Sequence, residues 1–326
     1  MDEFPYAGFP RGWYRVAWSW DVTETIEPVS YFGRKLIRFR TSDGTAHVWD
    51  AVCPHLGAHL GYGGRLEDDI VVCPFHGWGW DADGCNAFIP YEDGPPRRTR
   101  IRRFETRERC GMVLAWWAGD GRIPEWEPDE VPESLDRTRF HPLSADTTRV
   151  WPSKHLIPQA IVENLADPAH VKYVHLSKSV PAVDVTITGH KFVSEQEYLF
   201  GEGRERTWLT PEGPRRIKLV AEAHGLGVTI SRYGGLHTAV HLLGATPLDE
   251  HNSEVWAAAV VPRQDDDAGE HALGRWGTRL VSEMFKSHDQ DFPIWENMTY
   301  IAHPPYARVE AACHRPLRQW ASSFYD

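Results

Sequence analysis

Cysteine is scarce in this chain. Five residues in 326 are too few for a disulfide framework, and an odd number leaves at least one unpaired. A chain of this length can bury a sizeable core without such staples. Basic charge is also in deficit: 35 Lys and Arg stand against 46 Asp and Glu, a formal net charge of -11. Such a balance argues against nucleic acid as the main partner, because phosphate binding needs a basic surface. Long apolar runs are missing too. The longest, Met112 to Ala118 and Val255 to Val261, are far too short for a membrane span. The opening Met1-Asp2-Glu3-Phe4 has neither the basic nor the apolar region of a signal peptide. A reducing, cytoplasmic setting is therefore expected. There is no internal repeat and no low-complexity tract. No G-x-G-x-x-G follows a strand pattern; Gly201-Glu202-Gly203 and Gly225-Leu226-Gly227 are too weak to stand for one. The chain is not expected to carry a flavin or nicotinamide site of its own.

What is present is a globular composition, 41% hydrophobic and 25% charged, with histidine (17) and tryptophan (15) plentiful. The first third reads as short strands. Tyr31 to Thr41 alternates, Ser42-Asp43-Gly44 turns, and Thr45 to Val52 resumes. Ile70 to Val72 is another strand, and Gly61, Gly63 and Gly64 mark a loop before it. Cys110 to Trp117 is one more, ended by Gly119-Asp120-Gly121. This predicts a small antiparallel β domain over residues 1–120. Pro124 to Pro142, rich in proline and acid, reads as a linker or extended crossing. Residues 121–326 then read as α+β: a helix around Gln159 to His175, strands from Asp184 to Pro262, and a long amphipathic helix over Glu270 to Asn297. In that helix Leu273, Trp276, Leu280, Met284, His288, Asp291 and Trp295 recur at spacings of three and four.

Two constellations carry chemistry. The first is Cys53-Pro54-His55, then seventeen residues, then Cys73-Pro74-Phe75-His76-Gly77-Trp78. A zinc finger usually pairs Cys with Cys and His with His. Here each half supplies one thiolate and one imidazole. That suits a two-iron cluster in which one iron takes Cys53 and Cys73 and the other His55 and His76, clamped between two loop tips. Buried structural thiols and a zinc site are the competing readings. Cys85, Cys110 and Cys313 fit no pattern and read as structural thiols.

The second is Glu163-Asn164-Leu165-Ala166-Asp167-Pro168-Ala169-His170, followed by His175. Five residues turn an ideal helix through about 140°, so if both histidines bind one metal the helix must bulge or break between them. Two imidazoles and one carboxylate make the facial set of non-haem Fe(II) sites, which leaves positions open for O2. Asp167 is the nearby carboxylate. Asp291, on the inward stripe of the long helix, is the distant one, and ligation would offset the cost of burying it there. Asp289 points away from that stripe and reads as solvated. Satisfied histidines and an ordinary helix-surface acid are the bland alternatives.

Taken together, the two motifs resemble the oxygenase component of the Rieske non-haem iron oxygenases. The likeness is nearest to the 3-ketosteroid 9α-hydroxylase oxygenases and their sterol-oxidising relatives. It rests on Phe9-Pro10-Arg11-Gly12-Trp13-Tyr14, Cys73 to Trp80, Ile89-Pro90-Tyr91, Glu163-Asn164, Asp291 to Trp295, Leu317-Arg318-Gln319-Trp320 and Phe324-Tyr325. The resemblance implies an N-terminal antiparallel β domain holding a Rieske [2Fe-2S] cluster, then an α+β catalytic domain with a central antiparallel sheet and a long C-terminal helix. It implies that Cys53, His55, Cys73 and His76 hold the cluster and that His170, His175 and Asp291 bind mononuclear Fe(II). Asp167 and Asn164 then belong to the catalytic site. Asp167 would bridge His170 to His76 of the partner subunit in a head-to-tail homotrimer, which makes assembly part of the mechanism.

The implied activity is a monooxygenase. O2 and electrons from a separate ferredoxin or ferredoxin reductase hydroxylate a bulky apolar, steroid-like small molecule. The basic run Arg97-Arg98-Thr99-Arg100-Ile101-Arg102-Arg103 could steer an acidic donor, or be a solvated edge. A Rieske dioxygenase or demethylase acting on an aromatic substrate is the second reading. A non-enzymatic Rieske electron carrier is the third, and His170, His175 and Asp291 speak against it.

Overall fold

The computed structural model describes residues 4–325 except 95, 176, 202, 204–209, 211, 235–238 and 270–271, with the backbone alone at 198. Met1 to Glu3, Glu202 and the expected helix start at Glu270 lie outside the described residues. The first third is all β: β1 (Gly12–Trp18), β2 (Glu27–Tyr31), β3 (Arg34–Arg40), β4 (Ala46–Asp50), β5 (Arg65–Glu67), β6 (Ile70–Val72), β7 (Gly79–Trp80), β8 (Asn86–Phe88), β9 (Thr106–Arg109) and β10 (Met112–Trp117). They form three antiparallel sheets, β2-β3-β4, β5-β6-β7-β8 and β1-β10-β9. The expected Ser42-Asp43-Gly44 turn is present, closed by the Gly44 amide on the Thr41 carbonyl at 2.9 Å.

Two expected strands start later than the alternation suggested. Phe32 (φ 56°) and Gly33 (φ 66°) make a two-residue hairpin turn, so Tyr31 ends β2 and β3 begins at Arg34. Phe32 tolerates its left-handed backbone because its ring is buried and stacks on Trp117 at 4.5 Å. Cys110 (φ 52°) and Gly111 (φ 71°) likewise form the β9–β10 turn, so that strand begins at Met112 and not at Cys110.

The remainder contains α1 (Pro132–Leu135), β11 (Thr148–Lys154), α2 (Pro158–Glu163), α3 (Pro168–Tyr173), β12 (Ala182–Thr188), β13 (Lys191–Phe200), β14 (Arg215–His224), β15 (Val228–Gly234), β16 (Ala239–Pro247), β17 (Ser253–Val260), α4 (Arg275–Trp295) and α5 (Arg308–Ser322). Strands β11 to β17 form one seven-stranded antiparallel sheet in the order β11-β17-β16-β15-β14-β13-β12. The class is α+β, as expected. The proline-rich stretch is more than a linker: it contains α1, and Trp13 Nε1 donates to the Trp126 carbonyl at 2.7 Å. The helix expected over Gln159 to His175 is two helices, because Pro168 sits at the N-terminus of α3 and Asp167 caps it. No helix among the described residues is long and apolar enough to cross a membrane.

Both faces of the large sheet are covered, which is why β16 is buried throughout and shows no alternation. On one face Val228, Ile230, Val240, Leu242 and Trp256 pack against Trp13, Trp18, Leu114 and Trp116 of β1 and β10. On the other, Leu243, Ala245, Val255 and Ala257 meet Leu280, Val281, Phe285, Phe292 and Trp295 of α4. Burying each of these α4 side chains contributes roughly 1.5–3 kcal/mol. Helix α4 is thereby held against the sheet with Asp291 facing inward.

Candidate metal centres

The first centre is built from two loops of the same design. In one, the Cys53 amide donates to the Ala58 carbonyl (2.8 Å) and Gly57 donates back to the Cys53 carbonyl (3.0 Å). In the other, the Cys73 amide donates to Trp78 (2.9 Å) and Gly77 donates to Cys73 (3.0 Å). Gly57 (φ 79°) and Gly77 (φ 71°) both take the left-handed backbone that closes such a turn. Both glycines follow their cysteine at the same C-x3-G spacing, a match that marks Gly57 as the counterpart of Gly77. The loops leave Cys53 and Cys73 buried and bring His55 and His76 together at the rim, ring centroids 4.8 Å apart. His55 stacks on Trp78 at 4.3 Å, and Trp78 Nε1 donates to the Tyr91 hydroxyl at 2.8 Å.

The donor set fits an iron–sulfur cluster. Burial pushes the Cys53 thiol up to about 11, and neighbouring Cys73 adds to this; a metal would be needed to hold Cys53 as a thiolate. His76 Nδ1 is buried with no hydrogen-bond partner among the described residues. Such an orphan is costly unless a group not made of protein meets it. The nearby arginines are mostly compensated locally: Arg97 makes a bidentate pair with Glu92, Arg103 pairs with Asp83, and Arg102 lies over Phe104 at 4.9 Å.

The second centre lies between α2, α3 and α4. Helix α3 ends at Tyr173, so the chain leaves helical geometry before His175 and turns its ring back toward His170, with centroids 5.2 Å apart. Asp291 comes from α4; its Oδ1 is 3.4 Å from His175 Nε2, and its carboxylate is 4% exposed. His170 Nδ1 donates to the Asp167 carbonyl at 2.5 Å, and His175 Nδ1 to Gln290 Oε1 at 3.2 Å. Each imidazole thus has its Nδ1 hydrogen-bonded, so Nε2 is the nitrogen each could offer to a metal. Asn164 Nδ2 lies 3.1 Å from His170 Nε2. Burial holds His170 below its ordinary value and pushes Asp291 above the usual carboxylate range, with His175 and His170 pulling Asp291 back down. Two neutral imidazoles and a buried carboxylate are a set that could hold a divalent iron. Asp289 pairs with Arg149 at 3.4 Å on the outside of α4.

Asp167 has a local task. One carboxylate oxygen accepts the amides of Ala169 (2.9 Å) and His170 (3.2 Å), which caps α3. Its contact with His170 Nδ1 within the chain is through its carbonyl. Arg318 of α5 grips Glu163 through both carboxylate oxygens at 2.9 Å, which anchors the residue preceding Asn164. The sequence pattern assigns Arg318 no role, and α5 is not among the expected helices. The apolar spacing of Cys313, Leu317, Trp320 and Ala321 was available, but Pro316 argues against a helix.

Above the second centre opens a cavity of about 670 Å³, between the sheet and α4. Its wall is mainly apolar, with Leu219, Leu243, Leu280 and Met284, and it is also lined by polar Ser231 and His241 and by charged Lys178, Arg279, Glu283 and Lys286. His241 and His288 are buried and meet Nε2 to Nε2 at 3.1 Å. Burial lowers both, His288 to about 3, which disfavours the charged form of either ring.

Comparison with known proteins accords with this geometry. Residues 12–104 match the Rieske [2Fe-2S] domain, and residues 115–325 match the 3-ketosteroid 9alpha-hydroxylase C-terminal domain. The chain is 27% identical to a cholesterol 7-desaturase of Xenopus laevis, over 98% of this chain and 72% of that one. It is 27% identical to the 3-ketosteroid-9-alpha-monooxygenase oxygenase component of Mycobacterium tuberculosis, over 97% of this chain and 82% of that one. The crystal structure of dicamba monooxygenase with non-heme iron and dicamba superposes with a TM-score of 0.69, covering 97% of this chain and 96% of that one. At 16% identity that likeness is one of fold.

Proposed function

The chain belongs to the family of the 3-ketosteroid 9α-hydroxylase C-terminal domain, joined to a Rieske [2Fe-2S] domain, and on that premise we propose that it is the terminal component of a multi-component hydroxylase acting on a steroid-like substrate. It is an oxidoreductase whose cofactors are a Rieske cluster and a mononuclear non-haem iron. In this reading Cys53 and Cys73 hold one cluster iron and His55 and His76 the other, while His170, His175 and Asp291 hold the mononuclear iron. The observation that carries it is the convergence of His170 and His175, from α3 and the residues just after it, with buried Asp291 of α4 beneath a mainly apolar cavity. The two metal groups, when bound, supply single electrons and O2 activation. The protein supplies the rest. The Asp167 carbonyl and Gln290 orient the two imidazoles, Asn164 presents an amide beside His170, and the Leu243, Leu280 and Met284 wall keeps water from the bound substrate.

A cavity of this volume and character suits a rigid, bulky apolar molecule oriented by a few polar points. The named activities of the relatives support a sterol or 3-ketosteroid. One oxygen atom enters a C–H bond and the other leaves as water, with electrons arriving from a separate ferredoxin or reductase; "oxygenase component" in the relative's name supports such a partner. Exposed Leu56, Tyr62, Phe75 and Tyr91 rim the cluster loops. An apolar rim of this kind supports burial against another chain, as in the head-to-tail trimer in which Asp167 links His170 to His76 of the partner subunit. The pairing of β10 with β1 supports dividing the chain into 1–120 and 121–326.

The test is metal and acid-labile sulfide analysis of anaerobically purified protein, followed by steroid turnover with a surrogate ferredoxin system. About three irons and two sulfides per chain, a rhombic Rieske EPR signal after reduction and a hydroxylated steroid are expected. Two irons that Fe(II) cannot raise to three would leave an electron carrier. Zinc without sulfide would overturn the reading.

A further inference from the structure

A second group of metal-ligating side chains lies apart from both centres and lines no part of the cavity. Asp129 comes from the segment between β10 and α1, His190 from the β12–β13 turn, and His224 from the last position of β14. One ligand atom from each lies within 4.8 Å of the other two. Asp129 Oδ2 and His224 Nδ1 are 3.3 Å apart. That is long for a charge-assisted hydrogen bond. It matches the edge of a tetrahedron about a metal with bonds near 2.1 Å, about 3.4 Å.

The surroundings have the form of a metal site's outer shell. His224 turns its other nitrogen, Nε2, to Glu222 Oε2 at 3.1 Å, the carboxylate–histidine arrangement that orients a metal-bound imidazole. Glu222 is held in turn by Arg232 at 2.6 Å, and Arg232 by Glu133 at 2.9 Å. His190 lies flat against Trp126 at 4.9 Å, which fixes its ring, yet its Nε2 is buried with no hydrogen-bond partner among the described residues. A hydrogen-bonded salt network accounts for His224 and Asp129 but not for this orphan. The ammonium of Lys191 pairs with Asp129 and so occupies the cationic position. Lys191 is one-third exposed and can swing out to solvent.

We propose that Asp129, His190 and His224 form a binding site for a divalent first-row transition metal, zinc by the chemistry of the donor set, in which the ion displaces Lys191. Two imidazoles and one carboxylate suit a borderline cation and leave a fourth position for water. Bound there, the ion ties the segment after β10 to the catalytic sheet.

The experiment is equilibrium dialysis of the iron-loaded protein against micromolar zinc, with zinc and iron measured on the same sample. The expected result is one zinc per chain with no loss of iron. Asp129→Asn and His190→Gln, both at partly exposed positions, should each weaken zinc binding more than tenfold. Lys191→Met should tighten it about tenfold, because a competing cation is gone. A mere salt network predicts no such tightening. No zinc uptake, uptake only in exchange for iron, or uptake indifferent to both Asp129→Asn and His190→Gln would overturn the site.

Discussion

His241 and His288 face each other Nε2 to Nε2 at 3.1 Å, with rings stacked at 17°, one from the sheet and one from α4. Two neutral imidazoles so placed share one proton. If His241 donates, the proton of His288 sits on Nδ1. That nitrogen is buried without a hydrogen-bond partner among the described residues and lies 3.9 Å from Asp291 Oδ2. Asp291 offers its other oxygen toward His175. The pair therefore packs beside the carboxylate oxygen turned away from the candidate iron position, 3.9 Å from it and without a hydrogen bond to it.

Replacing His288 should loosen the packing beside Asp291. His288→Ala is expected to weaken retention of mononuclear iron by up to about tenfold, no more than the low end of the range for a hydrogen-bonded outer-shell partner. The Rieske EPR signal should stay unchanged, and His288→Gln should restore part of the affinity. Chelator-challenge titrations read this directly; unchanged iron retention in the alanine variant would show that the His288 packing does not position Asp291.

Asp167 carries a local and a proposed long-range task, and two substitutions separate them. Asparagine is a good N-cap, so Asp167→Asn should keep α3, whereas Asp167→Ala should lose about 1 kcal/mol. Both variants should load cluster and iron but slow turnover by at least tenfold. Full activity in Asp167→Asn would exclude a need for the carboxylate between subunits.

Arg15 of β1 and Glu254 of β17 meet at 3.0 Å, and Tyr31 also donates to the same Glu254 oxygen at 3.0 Å. The Arg15 side chain is almost fully buried, and burial lowers its guanidinium while raising the Glu254 carboxyl. Removing one partner leaves a buried charge alone. Arg15→Met or Glu254→Gln should each cost about 3–5 kcal/mol, and the double variant much less than their sum. Denaturant unfolding of the four proteins gives the cycle; additive losses would show that the two do not interact.

Cys53→Ser should abolish the red-brown colour and the Rieske signal and lower iron from about three to about one per chain. The residual iron should disappear on adding His175→Ala. Loss of all iron from Cys53→Ser alone would mean that the two centres are not independent.

Much of the site was legible because metal chemistry restricts residue type at short range. Cys53-x-His55 and Cys73-x2-His76 each lie on one loop, so their spacing is a local property. His170 and His175 were legible for the same reason, together with the need for a helix break that the end of α3 at Tyr173 supplies. Local signals misled where burial overrode them. Phe32 gives no turn signal, yet its stacking on Trp117 stabilises a left-handed backbone there. Pro316 disguised α5, whose packing through Leu317 and Trp320 outweighs the missing amide.

The amino-acid sequence alone determined the two metal motifs, the α+β class and the inward stripe of α4, because each depends on residue types a few positions apart. Only the tertiary structure decided which partners those motifs acquire. Arg318 lies 155 positions from Glu163, His288 47 from His241, and Asp129, His190 and His224 come from three separate segments. Such contacts are set by how a sheet buried on both faces docks α4 and α5. No periodicity along the chain encodes that packing.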